Sequence, residues 1–466
     1  MSRSLLLAAL SVLVAAAPVL AQNTNAVETE GQRPARQTEK SSKASRAEAE
    51  SAKLSAGNGA DVTFEQVAAD PDNVDLNYRY AQTQVRHGNL KGASATLERI
   101  LLVNPNLVQI RLFYGVVLYR LDNLMEADRE VSAVLASNPP ESIKSEASRY
   151  LVEIRKRQKR TQLSGRLGVG WEYDDNRNAG PSTGKNLFFG SPVQLDASSL
   201  RHSDTSVLFL GNVEAHHDLG LPAGHQVFAT FNYYRAEQTN QKNLNLAAYS
   251  PALGGVYKTP FFDVTPQLVY DYVALAQTKY MADHGFDLRI DKILSARAAL
   301  YADVRDVREV YSPTAQIPTA SDRTGIRVDS MIGGEYSIVP WNRVGLDVLY
   351  GVKHAQNIAF TYFRKGFGAS DTWLLGKGMF LLTTLRLNVD DYSHADPLVS
   401  QGLRRDTIIQ TDVTYGAPLS LLHPKLQDFV FTLTYENYDA MSTLTNYAYT
   451  NNKIAGLLTY KWSAGF

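Results

Sequence analysis

The chain has 466 residues, no cysteine, and 47 Lys+Arg against 47 Asp+Glu. Without cysteine there are no disulfides, thiolate nucleophiles, cysteine metal sites or lipidated N-terminal cysteine. Balanced charge without a basic stripe argues against a nucleic-acid partner, and the length leaves room for several domains.

The chain opens with Arg3, an apolar run over 5–17 and Val19-Leu20-Ala21. That order predicts a secretory signal peptide over 1–21, cleaved after Ala21. The run is shorter than the roughly 20 residues that a spanning helix needs. No later stretch is long and apolar enough to be such a helix, so a membrane could be entered only as a closed barrel. Residues 22–60 are polar and small, with no aromatic, and are expected to form a disordered tether.

Helical texture follows over 61–160. Asp70-Pro71, Asn104-Pro105 and Asn138-Pro139 recur with a spacing of 34 residues. Ala81 and Gly115, Leu90 and Leu124, Ala93 and Ala127, Leu97 and Val131, and Leu101 and Leu135 keep the same interval. This is the tetratricopeptide pattern, in which small residues let paired helices approach and larger apolar ones fill the gap to the next repeat. Gly88-Asn89 and Asp122-Asn123 are placed as the turns. Two full repeats are legible, with a half-repeat over 62–69 and a last helix over 141–160 that helps to close a short array. The basic run Arg155, Lys156, Arg157, Lys159 and Arg160 suits the C-terminal end of that helix. It reads as a solvated helix end, with an anionic-lipid or partner site as the alternative.

From 161 to 466 the period becomes two. Leu458, Tyr460, Trp462, Ala464 and Phe466 share one face, opposite Thr459, Lys461, Ser463 and Gly465. Val344, Leu346, Val348, Tyr350 and Val352 oppose Gly345, Asp347, Gly351 and Lys353 in the same way. Segments of about ten residues, apolar outward and polar inward, are the signature of a transmembrane barrel. The 25 tyrosines supply interfacial girdles. The pattern predicts about fourteen strands, with longer loops near 175–203, 310–323, 392–403 and 439–450 and both barrel ends on the short-turn side. Interior charges of both signs are expected at Arg166, Glu172, Glu214, Arg297, Asp303, Arg305, Asp347, Arg386 and Lys461. Tyr460, Trp462 and Phe466 read as the aromatic signal for the outer-membrane barrel assembly machinery. The expected fold is therefore a short α-helical solenoid followed by an antiparallel transmembrane β-barrel.

Motifs for hydrolysis, phosphate binding or metal chelation are absent, and the adjacent His216 and His217 point to opposite faces of a strand. No enzyme activity, cofactor or resident metal is expected. Asp174, Asp175 and Asn176 could supply oxygen ligands to calcium, but Asp and Asn also simply end strands.

The barrel opens with Gly168-Val169-Gly170-Trp171-Glu172-Tyr173-Asp174-Asp175-Asn176-Arg177-Asn178. A signal peptide, short tetratricopeptide domain and this opening together resemble the surface lipoprotein assembly modulator family, whose Tyr-Asp-x-Asn-x-Asn corner is matched by Tyr173, Asp174, Asn176 and Asn178. The resemblance implies a fourteen-stranded translocon in the outer membrane with its N-terminal domain in the periplasm. It would deliver lipoproteins, or soluble haem- or metal-scavenging proteins, to the cell surface by binding and passage. Implied partners are outer-membrane lipid, the client and, as a further candidate, a periplasmic chaperone. On the concave face of the repeats, Tyr78, Gln82, Arg86, Gln109, Tyr119 and Arg120 are the candidate client contacts. An exopolysaccharide export porin and a general diffusion porin are the alternatives.

Overall fold

The computed structural model describes residues 61–221 and 223–466. The expected signal peptide and tether, 1–21 and 22–60, lie outside the described residues. Two compact units are present, one helical and one a barrel.

Six helices make up the helical unit: α1 (Phe64–Ala69), α2 (Val74–Arg86), α3 (Leu90–Val103), α4 (Val108–Arg120), α5 (Leu124–Ala136) and α6 (Glu141–Gln158). Thr63 and Gln66 form a reciprocal capping box on α1, and the Asn73 and Asn89 side chains cap α2 and α3. Gly88 and Asp122, one repeat apart, both take positive φ, 76° and 65°. That left-handed step ends the first helix of each pair, and glycine adopts it without strain. Ala81, Ala93 and Ala127 are fully buried, and a Cβ added to Gly115 would lie 2.6 Å from Val131 Cγ2. The small residues thus sit where the helices cross most closely. Leu97, Leu112, Phe113, Val116, Val131 and Ile154 fill the core around them, and α6 covers it through Ala147, Tyr150 and Ile154.

The barrel unit contains β1 (Thr161–Asp174), a small hairpin of β2 (Lys185–Phe188) and β3 (Ser191–Gln194), and thirteen further strands. These are β4 (Asp204–Asp218), β5 (Gln226–Gln238), β6 (Leu246–Lys258), β7 (Asp263–Leu275), β8 (Thr278–Ile293), β9 (Ala298–Tyr311) and β10 (Gly325–Val339). They continue with β11 (Asn342–Ala355), β12 (Tyr362–Gly376), β13 (Met379–Tyr392), β14 (Arg405–Pro418), β15 (Phe429–Ser442) and β16 (Tyr449–Gly465). All but β2 and β3 form one closed antiparallel barrel of fourteen strands, with β1 between β16 and β4. Closure leaves no edge strand.

Alternation sets the two faces of the wall. Val169, Trp171, Val207, Phe231, Leu253, Leu268, Ile332, Leu346, Val348, Leu433 and Leu458 are exposed and apolar on the outside. Their neighbours in sequence carry the polar groups inward. This outer belt is the surface that a bilayer core accepts. The closing seam is fitted with glycines: Trp171 lies over Gly456, and Trp462 fills the space beside Gly165. A side chain on either glycine would collide with the indole.

One sequence expectation needs correction. Arg297 lies in the turn between β8 and β9, outside the strands that line the lumen. The connection between β7 and β8 is only Ala276-Gln277, and both residues take positive φ, 47° and 68°. It is a tight primed-type turn, although it lies on the long-loop side of the barrel.

Candidate functional site: the filled loop end of the barrel

The barrel has two unlike ends. At one, called here the turn end, lie both barrel termini and the connection at Pro340-Trp341; at the other, the loop end, lie 175–203, 312–324, 393–404 and 443–448. Inward polar residues near the loop end have almost no solvent exposure: Glu172 1%, Glu309 2%, Asp390 2% and Glu436 3%. An inward carboxylate in an open aqueous pore would be wet. These carboxylates are covered instead by their ion-pair partners on the wall and, for Glu172, by Arg177 of the loop that follows β1.

The loop 175–203 is held by the corner that follows β1. Asn176 accepts a hydrogen bond from Gly180 N at 2.8 Å and donates to Gly180 O at 3.0 Å and Thr450 O at 2.8 Å. Asn178 donates to Leu200 O and accepts from His202 N, which joins the two ends of the loop. Between them, Arg177 reaches inward and donates to Glu172 at 3.0 Å and Asp174 at 3.4 Å. Burial pulls the Arg177 guanidinium below its ordinary value, but the adjoining Glu172 and Asp174 carboxylates outweigh it and hold it higher. Further along, Ser182 N donates to Ala448 O, and Asn446 brackets Leu187 through its N–H and its C=O. The loop is thus stitched to β16 and to the segment before it.

Around this clamp the lumen carries paired charges and tyrosines. Lys453 pairs with Glu436 at 2.9 Å, Arg327 with Glu309 at 2.8 Å, and Arg364 makes a two-pronged contact with Asp390 at 2.7 Å for each bond. Lys353 also pairs with Glu309. Arg404, from the loop before β14, pairs with Asp406 and lies 4.3 Å from the Tyr392 ring centre and 3.4 Å from that of Tyr447. Tyr362 and Tyr392 pack at 5.3 Å, and Tyr438 stacks on Tyr449 at 5.6 Å. On the opposite wall, Ile317 and Ala320 of the 312–324 loop are fully buried among Leu244, Leu246, Leu275 and Tyr280. Buried ions in such number persist because each has a partner; an unpaired one would be strongly unfavourable.

The candidate residues from the sequence divide between the two units. Asp174, Asn176 and Asn178 come together as the loop clamp, whereas Tyr173 faces outward and is exposed. The oxygen ligands imagined for calcium are spent otherwise: Asp174 binds Arg177, and Asp175 accepts from Asn452 N and Nδ2 at 2.8 Å each. Among the described residues, no cluster of His, Asp and Glu is arranged to hold a metal. Tyr460 packs against Phe429 at 5.0 Å on the outer wall, Trp462 lies at the seam, and Phe466 is exposed.

In the helical unit, Tyr78 is half-buried with its ring edge-on to Phe113, and Gln82 is buried. Arg86 pairs with Asp61 at 2.7 Å, and Gln109 is exposed. Tyr119 packs against Tyr150 and beneath Arg157, while Arg120 is half-exposed. Of the basic run, Arg155 is engaged by Asp128 and Arg157 by Asp122. The member of this clamp not singled out from the sequence is Arg177. Its signal was available, as a lone arginine inside the corner motif, five residues after an inward glutamate.

Residues 58–109 match a tetratricopeptide repeat family. Among curated proteins, the chain is 32% identical over 121 residues to DnaJ homolog subfamily C member 3 of Homo sapiens, over 25% of this chain and 24% of that protein. The Rattus norvegicus counterpart is 35% identical over 103 residues, 22% of this chain and 20% of that protein. The chain thus spans about a quarter of the human relative's length or less. Among solved structures, the P58(IPK) tetratricopeptide domain matches at 32% identity over 20% of this chain and 26% of that one, with a TM-score of 0.19. The outer-membrane channel DcaP of Acinetobacter baumannii matches at 10% identity, 65% of this chain and 97% of that one, with a TM-score of 0.37. OccAB3 of the same organism matches at 10% identity, 65% and 99%, with a TM-score of 0.34.

Proposed function

We propose that this protein is an outer-membrane translocon that passes a surface lipoprotein or a secreted scavenger protein to the cell exterior. The observation that supports this most directly is the pairing of a tetratricopeptide unit with a fourteen-stranded barrel whose loop end is filled by a clamped loop. Tetratricopeptide faces bind protein segments, and a barrel with an apolar outer belt supplies a route through a bilayer. The helical unit precedes β1 by two residues and so joins the barrel at the turn end, which we assign to the periplasm.

Work is done by binding and displacement, without bond chemistry. In the resting state Arg177, Asn176 and Asn178 hold the loop in the mouth. Client entering from the turn end exchanges those contacts for its own, and the clamp re-forms after release. Breaking pairs that can re-form in place suits a gate better than a fixed wall does. A filled mouth also counts against the diffusion-porin alternative, because a general pore stays open to solutes.

Deleting the gene and comparing surface-exposed and secreted proteins with the parent strain tests the proposal. Loss of one or a few lipoproteins or scavengers from the surface is expected. Normal display of all of them together with loss of a secreted polysaccharide would replace the translocon with a polysaccharide exporter.

A further inference from the structure

The outer wall of the barrel is mostly apolar, and one row on it gathers several unpaired polar groups. A single hydrogen-bonded row runs Tyr270, His284, Arg308, Ile326, His354 across five adjacent strands, β7 to β11. In these strands the residues of this row alternate with the buried, inward ones, so the row faces outward. One step towards the turn end, the matching row runs Leu268, Phe286, Asp306, Val328, Val352. His284, Asp306, Arg308 and His354 are all exposed. Their side chains have no hydrogen-bond or ion-pair partner among the described residues. Several other outward charges on the same wall are paired, Arg235 with Glu237, and Lys365 and Arg405 with Asp391. A shallow cleft of about 520 Å³ opens at the unpaired row, lined by Leu268, His284, Phe286, Asp306, Arg308 and Ile326.

Unpaired charge on a lipid-facing wall is unfavourable in proportion to its depth. Arg308, Ile326 and His354 lie close to the loop-end termini of β9, β10 and β11, on the side where lipid headgroups begin. We infer that this row is a binding site for a phosphorylated glycolipid of the leaflet at the loop end. Arg308 presents a planar fork that fits a phosphate in two-pronged geometry, and His284, directly across the strand pair, adds a second donor to the same phosphate. Asp306 is set one row deeper and accepts from a sugar hydroxyl or amide. Leu268, Phe286 and Ile326 form the apolar floor against which the acyl chains lie. A free phosphate would satisfy Arg308 and His284 but would leave that floor and Asp306 without a role, so the lipid is the favoured source. This inference rests on the membrane-barrel reading and is independent of any client.

The test reconstitutes the full-length protein into phosphatidylcholine vesicles and measures binding of diphosphoryl lipid A by native mass spectrometry. The same lipid stripped of phosphate and inorganic phosphate alone are run beside it. Heat-dependent gel mobility reports whether the barrel is folded in the bilayer. The phosphorylated lipid should bind, the stripped lipid should bind about tenfold or more weakly, and R308Q with H284Q should show the same loss while remaining heat-modifiable. Equal retention of both lipids by the wild type, or full retention by the folded variant, would overturn the site and leave the membrane barrel standing. Displacement of the lipid by millimolar inorganic phosphate would overturn the lipid as ligand. Failure of the wild type to enter the vesicles would instead defeat the membrane reading. Should the variant not fold, the comparison of the two lipids on the wild type still decides.

Discussion

Arg177 shows how one residue can govern the state of the barrel mouth. Its guanidinium lies between Glu172 and Asp174, and all three are essentially without solvent. Removing the cation leaves two carboxylates facing each other in a low-dielectric site, at a cost of about 3–5 kcal/mol. Because that cost can be relieved by local opening, Arg177→Ala should release the 175–203 loop before it unfolds the barrel. Limited proteolysis checks this: nicking within 175–203 should speed up by an order of magnitude or more, while the barrel core stays resistant. Unchanged nicking would mean that Asn176 and Asn178 suffice to hold the loop. At Gly115, a valine would drive its side chain into Val131. Gly115→Val should destabilise the helical unit by about 1–3 kcal/mol, read as an earlier helical melting transition in the full-length protein.

At the scale of elements, what was legible depended on whether the signal was local. The strand pattern is local, so the phase of β11 and β16 could be read directly, apolar residues outward and Asp347 and Lys461 inward. The repeat was equally plain, since Ala81, Gly115, Ala93 and Ala127 recur at one interval and all lie at helix crossings. The turn at Ala276-Gln277 was hidden because neither residue is the Gly or Asn that a primed turn usually demands. The filling of the mouth was hidden for another reason. Its bonds join Asn176 to Thr450 and Leu187 to Asn446, residues too far apart in sequence for any local pattern to link. The Tyr-Asp-x-Asn-x-Asn corner was visible as a motif, yet its work as a loop clamp became evident only with those distant acceptors in place.

The helical elements also carry a pH dependence. Burial raises the Asp128 carboxyl, but hydrogen bonds from Arg155 and Ser132 outweigh it and hold the group below its ordinary value. A depressed folded value means that the stabilisation is complete above the unfolded carboxyl pKa, about 3.9, and is lost as pH falls through the lower folded value. Asp128 ties α5 to Arg155 on α6, so its protonation loosens the helix that closes the array. Asp128→Asn should therefore melt earlier than the parent at neutral pH, and the difference should shrink below about pH 4. A constant gap across that range would assign the loss to packing instead.

The whole molecule joins a tetratricopeptide solenoid, which we propose binds a client protein, to a barrel whose mouth is closed by contacts that can re-form. The closure is made of reversible contacts: ion pairs, tyrosine packing and one clamped loop. Opening the mouth then requires displacing 175–203, while the wall and its fourteen-stranded closure persist. Conductance in planar bilayers tests this most directly, comparing the parent with a variant in which 179–200 is replaced by a short Gly-Ser turn. The parent should insert with little steady ion current, and the loop-replaced barrel should carry a current several-fold larger. A parent that conducts as freely as the variant would contradict the account, because its lumen would then be open without displacement of the loop.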